Sequence, residues 1–125
     1  MKQLTPSPMR EKSMNLAIRI VNLYKYLIGE KKEYVLSKQM LRSGTSIGAN
    51  IREAQNAESA ADFIHKLGVA QKETDETIYW IELLHRTEFL TYAEYQSIFQ
   101  DTNELLRMIR SAILTKKRNK LKENT

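Results

Sequence analysis

The chain has 125 residues, a net charge of +5 and no cysteine. That length fits one domain with a core of its own, and the lack of cysteine excludes a disulfide framework or a thiolate metal site. No apolar run reaches the roughly 18 residues of a membrane span, and the opening MKQLTPSPMREKS lacks the apolar stretch of a signal peptide, so a cytoplasmic protein without membrane contact is expected.

Both prolines fall in the first eight residues, and glycine is scarce, which leaves long stretches open to helix. The first helix is predicted from Pro8, with Ser7 as N-cap, to about Ile28, where Gly29 ends it. It carries two apolar stripes: Met14, Ala17, Ile18, Val21 and Ile28, and Leu16, Ile20, Leu23 and Leu27. A core needs one of them, and the other reads as a subunit contact or as part of a wide core face. The polar link GEKKE leads to a second helix over Tyr34–Ala57. Its apolar line of Leu36, Met40, Gly44, Ile47, Ile51 and Ala54 keeps a 3.6-residue period straight through two glycines.

Those glycines raise the question of a phosphate loop. Walker-type loops need G-x-x-x-x-G-K-[ST] after a strand, and dinucleotide sites need G-x-G-x-x-G. Gly44-x-x-x-Gly48 satisfies neither. The two glycines share one helix face a turn apart, each costing about 1 kcal/mol of helix propensity relative to alanine. Close approach of another helix offsets such a cost.

The third helix is predicted over Ser59–Arg86, with Ser59 and Asp62 near a capping box. Ala60, Phe63, Ile64, Leu67, Ala70, Thr74, Ile78, Ile81 and Leu84 form its seam. Thr91 and Glu94 make a capping box for the fourth helix, whose seam runs through Tyr95, Ile98, Thr102, Leu105, Ile109, Ala112 and Ile113. Past Leu114 the pattern dissolves into TKKRNKLKENT, read as a frayed end or tail. The expected fold is all-α, an antiparallel up-down-up-down four-helix bundle over residues 1–115, followed by a basic C-terminal tail over 116–125.

Catalytic and metal constellations are thin. Asp62-x-x-His65 and Glu82-x-x-His85 resemble half-sites of di-iron bundles, but both sit on one helix about 30 Å apart. Glu73, Asp75 and Glu76 could face Glu53, Asp101 or Glu104 across a magnesium site, yet no second E-x-x-[DE] pair exists. The blander expectation is a contact of Glu73 with Arg42, Ser43 or Asn50. Tyr79, Trp80, Tyr92 and Tyr95 read as a base-stacking platform or as core and interface aromatics. No enzyme activity, metal or cofactor is expected.

Charge is segregated along the chain. Residues 1–42 carry nine Lys/Arg against three acids, residues 43–104 four against eleven, and residues 105–125 seven against one. In an antiparallel bundle the end of the fourth helix returns beside the start of the first. Arg107, Arg110, Lys116, Lys117, Arg118, Lys120 and Lys122 then join Lys2, Arg10 and Lys12 in one positive surface suited to a phosphate backbone.

The stretch LRSGTSIGANIREA at 41–54, followed by DFIHKL at 62–67 and ETIYWIELL at 76–84, resembles the bacterial four helix bundle protein family, also called ribosomal RNA intervening-sequence proteins. The likeness spans roughly residues 9–115 in order. It implies a four-helix bundle assembled as a ring of five, similar to the accessory protein of diversity-generating retroelements, a basic pentameric barrel that binds nucleic acid and a reverse transcriptase. It supplies no catalytic residues. The motif positions Arg42, Ser43, Gly44, Ser46, Ile47, Asn50, Ile51 and Glu53, with Gly48 among them, carry a structural, helix-packing role by this resemblance. Two functions are therefore expected to compete. One is an oligomeric bundle binding structured RNA or DNA, RNA ahead of DNA. The other is a scaffold whose acidic third helix docks a protein partner.

Overall fold

The structure is a computed structural model and describes residues 7–123. Four helices, α1 (Pro8–Gly29), α2 (Leu36–Gln55), α3 (Ala60–Arg86) and α4 (Tyr92–Glu123), make an all-α, antiparallel up-down-up-down bundle. Each helix packs on the next, and α4 closes back on α1 more sparsely than the other pairs meet.

Local chemistry sets most boundaries. Ser7 accepts the Arg10 amide, and Pro8 occupies the first turn of α1. The Ser59 hydroxyl accepts from the Asp62 amide at 3.0 Å. Before α4, the Thr91 amide donates to Glu94 at 2.8 Å, and the Glu94 amide donates back to the Thr91 hydroxyl at 3.1 Å. These are the reciprocal bonds of a capping box.

Helix α2 is shorter at both ends than the predicted Tyr34–Ala57. Tyr34 and Val35 lie outside it because the Glu33 carboxylate accepts the amides of Val35, Leu36 and Ser37 at 3.1, 2.9 and 2.6 Å. Ser37 donates its hydroxyl back to the Glu33 carbonyl at 2.7 Å. At the other end the Asn56 amide turns back onto Arg52 and Glu53. Helix α4 shows the opposite difference. Its apolar pattern ends near Ile113, yet the helix continues unbroken to Glu123. Residues 116–123 are mostly helix formers with no glycine or proline among them, so the backbone has no reason to stop there. Thr125 and Asn124 of the expected tail lie outside the described residues.

The core is a stack of Leu16, Ile20 and Leu27 from α1, Met40, Ile47 and Ile51 from α2, Leu67, Ile81 and Leu84 from α3, and Ile98, Leu105 and Ile109 from α4. Of the two stripes on α1, the one through Leu16, Ile20 and Leu27 is buried. The other leaves Met14 43% and Ile18 52% exposed. One polar pair crosses the core: the hydroxyls of Ser43 and Thr77 lie 2.9 Å apart, each with a backbone carbonyl one turn back. Thr77 and Leu106 are buried although the seams read from the sequence omit both.

Candidate nucleic-acid interface

The α2 motif makes contacts toward both neighbouring helices. Toward α1, a Cβ placed on Gly44 would stand 2.9 Å from two carbons of Ile20, and one on Gly48 3.2 Å from the Ser13 hydroxyl. Helix α1 therefore lies against the glycine face at van der Waals range. Toward α3, Arg42 reaches Glu73 at 3.3 Å and also pairs with Glu76, while Glu53 holds Lys66 at 2.9 Å. Ser46 donates to the Arg42 carbonyl and Asn50 to the Ser46 carbonyl, and Ile47 and Ile51 are fully buried. Every motif side chain has a partner within its own bundle.

The carboxylates of Glu73, Asp75, Glu76 and Glu82 on α3 and of Asp101 and Glu104 on α4 are likewise occupied. Hydrogen bonds from Arg42 and Trp80 hold the Glu76 carboxyl below its ordinary pKa, and that pairing raises the Arg42 value further. Asp75 has Arg110 at 3.9 Å and Glu82 has Arg86 at 3.1 Å. Asp101 accepts from Arg19 at 2.6 Å and Lys12 at 3.4 Å, and Glu104 accepts from Lys12 at 2.7 Å. Burial alone would raise the pKa of Asp101, but the Arg19 and Lys12 contacts outweigh it and leave the net shift downward. Among the described residues no three His, Asp or Glu side chains cluster as a metal site. His65 and His85 lie on one helix, as the sequence requires.

The aromatics do not form one platform. Tyr79 and Trp80 pack edge to face with centroids 4.9 Å apart. Tyr95 stacks between His85 and Phe99, at 5.0 and 5.6 Å. His85 Nδ1 also sits 3.0 Å from the Leu90 carbonyl, which ties that stack to the α3–α4 link.

The nine cations read from the sequence fall into two groups. Lys12 is committed to Asp101 and Glu104, and the Glu104 hydrogen bond, helped by Asp101, raises its pKa against the opposing effect of burial. Arg110 leans on Asp75, and Lys116 sits 4.8 Å above the Phe63 ring. Arg10, Arg107, Lys117, Arg118, Lys120 and Lys122 are exposed. From Arg107 onward α4 presents seven cations before its one acid, Glu123. Lys2 lies outside the described residues.

One basic position escaped the sequence reading. Arg52 of α2 lines a groove of about 260 Å³ together with Arg10, Ser13, Met14, Ala17, Thr45, Gly48 and Ala49. It lies between Ile51 and Glu53 of the packing motif, at a position to which the motif assigns no role. A larger open groove of about 550 Å³ runs along the α1–α4 seam between Arg19, Leu23, Tyr26, Ser97 and Ile98.

The model of the 23S rRNA-intervening sequence protein family matches residues 7–111. A crystal structure of a protein of unknown function from the S23 ribosomal protein family of Bacteroides thetaiotaomicron is 58% identical over 84% of this chain and 94% of that one, with a TM-score of 0.83. No curated protein matches the chain.

Proposed function

The chain belongs to the 23S rRNA-intervening sequence protein family, and from that premise we propose that it is a non-enzymatic, self-associating bundle that binds structured nucleic acid, RNA ahead of DNA, through the basic end of α4. The supporting observation is a contrast in charge. The acids of α3 and the middle of α4 are matched by arginines and lysines of the same chain. The last turns of α4 carry Lys117, Arg118 and Lys120 exposed, on a helix that outruns its own apolar seam. Such a surface attracts phosphates without reading sequence.

The self-association in this reading is supported by α1. Its outer stripe leaves Met14 and Ile18 about half exposed, beside the apolar surface of Ala17 and Val21. A ring of five, the assembly implied by the resemblance, would repeat the α4 ends around one rim, and avidity would multiply weak single contacts. The scaffold reading loses its main support, because Glu73, Asp75, Glu76 and Glu82 already face arginines of this chain.

The test is fluorescence anisotropy of a structured RNA and a matched DNA duplex across a salt series. Binding should weaken steeply with salt. Changing Lys116, Lys117, Arg118, Lys120 and Lys122 together to Gln should cut affinity by about tenfold or more and flatten the log–log slope. An affinity unchanged by those substitutions rules out the α4 end, and no RNA or DNA binding at all sinks the nucleic-acid reading.

A further inference from the structure

Arg10, placed beside the end of α4 by the sequence, also lines a groove with Arg52 of α2. Helices α1 and α2 are antiparallel, with Ser13 against Gly48 and Ile20 against Gly44. That register brings Arg10 level with Arg52, and both line the same groove. The cations nearest them in sequence are spoken for: Lys12 by Asp101 and Glu104, Arg42 by Glu73 and Glu76. Glu53, the acid adjoining Arg52, is turned to Lys66. Arg10 and Arg52 make no side-chain ion pair or hydrogen bond among the described residues, and both are exposed. Glu11, the remaining acid of the first turn, does not line the groove.

Between them the floor is made of small side chains, Ala17, Thr45, Gly48 and Ala49, with Met14 on the α1 side. Two guanidiniums on one groove repel each other unless an anion lies between them. Each carries a planar fork of donors matched to phosphate oxygens. Small side chains between the forks leave room for a phosphate to come down on the α2 side of the groove, at Thr45, Gly48 and Ala49.

We propose that a phosphate group of a bound RNA strand sits in the α1–α2 groove between Arg10 and Arg52, a contact separate from the α4 end and resting on the reading that the protein binds nucleic acid. Arg10 and Arg52 donate from opposite sides, and the groove fixes where the strand crosses the subunit. Arg52 is then a phosphate-binding residue set within an otherwise structural motif.

The test is the pair of substitutions Arg10→Gln and Arg52→Gln in the full chain, with the same structured RNA as probe. Both side chains are at the surface, so thermal unfolding should be unchanged. The expected result is an RNA affinity lower by about tenfold and a salt slope shallower by roughly one phosphate contact. The pair Arg10→Lys and Arg52→Lys should restore the slope but only part of the affinity, because lysine lacks the planar fork. In a separate titration with inorganic phosphate, amide shifts should concentrate at Thr45, Gly48, Ala49 and Arg52. If the parent binds RNA and the glutamine pair binds equally well, the groove contact is wrong while the α4 interface stands. Phosphate shifts spread evenly over the lysines, or absent, also overturn it. A parent that binds no RNA overturns the nucleic-acid reading and this contact together.

Discussion

Gly44 and Gly48 look alike in sequence but face different neighbours. A Cβ at Gly44 would press on two carbons of the fully buried Ile20 at 2.9 Å, whereas one at Gly48 meets the Ser13 hydroxyl at 3.2 Å. A buried branched side chain has nowhere to go, while a hydroxyl can rotate. Gly44→Leu should therefore destabilise the fold by about 2–3 kcal/mol, the upper part of the overpacking range, as read from urea midpoints. Gly48→Ala should stay within about 1 kcal/mol of the parent, since the gain in helix propensity offsets the crowding. Glu33 makes a second test at this scale. Burial pushes its pKa up, but the amides of Leu36, Ser37 and Val35 and the Ser37 hydroxyl outweigh it, so the net shift is downward. A folded pKa below the unfolded one means stability that is present above pH ~4.3 and lost as pH falls through the folded value. Glu33→Gln should be less stable than the parent at neutral pH, and its acid unfolding curve should be flatter. The sequence disclosed the glycines because the 3.6-residue period ran through them. It hid Glu33 because a carboxylate two residues ahead of the helix's first cap position has no fixed spacing signature, and the link GEKKE read only as polar.

The helices themselves were legible from capping chemistry and periodicity, and their type needed nothing more. Where sequence reading fell short, the reason was that apolar pattern and backbone helix are different things. Around α4 the pattern stops near Ile113 while the helix runs on to Glu123. A chain ending after Thr115 should keep the melting temperature of the parent within a few degrees, because the buried seam is intact and surface residues contribute little. The same truncation should lose most RNA affinity. The division of α1 into two stripes was also readable, but not which stripe faces inward; only the register with Gly44 and Gly48 decides that. Ile18→Glu on the outer stripe should leave the fold intact and reduce the assembly size measured by sedimentation. An unchanged assembly would remove α1 from the subunit contact.

At the level of the molecule, a net charge of +5 conceals internal pairing. The acidic middle of the chain reads as a docking face when counted, and as ion-paired surface when folded. Composition could not reveal this, because most of the pairs join residues far apart in sequence, such as Arg42 with Glu73 or Lys12 with Glu104. Those pairs also differ in what they hold. Three seams of the bundle, α1–α2, α2–α3 and α3–α4, are closely packed. The α1–α4 seam is sparsely packed, bordered by an open groove and crossed by Lys12, Arg19, Asp101 and Glu104. It behaves as a clasp fastened by charge. Each exposed pair contributes at most about 1 kcal/mol and weakens with salt, and protonation of Asp101 releases two partners at once. Amide hydrogen exchange in α1 should therefore quicken, ahead of α2 and α3, as ionic strength rises or pH falls. The bundle would then breathe from this one side, and the rising salt that screens the proposed phosphate contacts would also loosen the helix that carries Arg10.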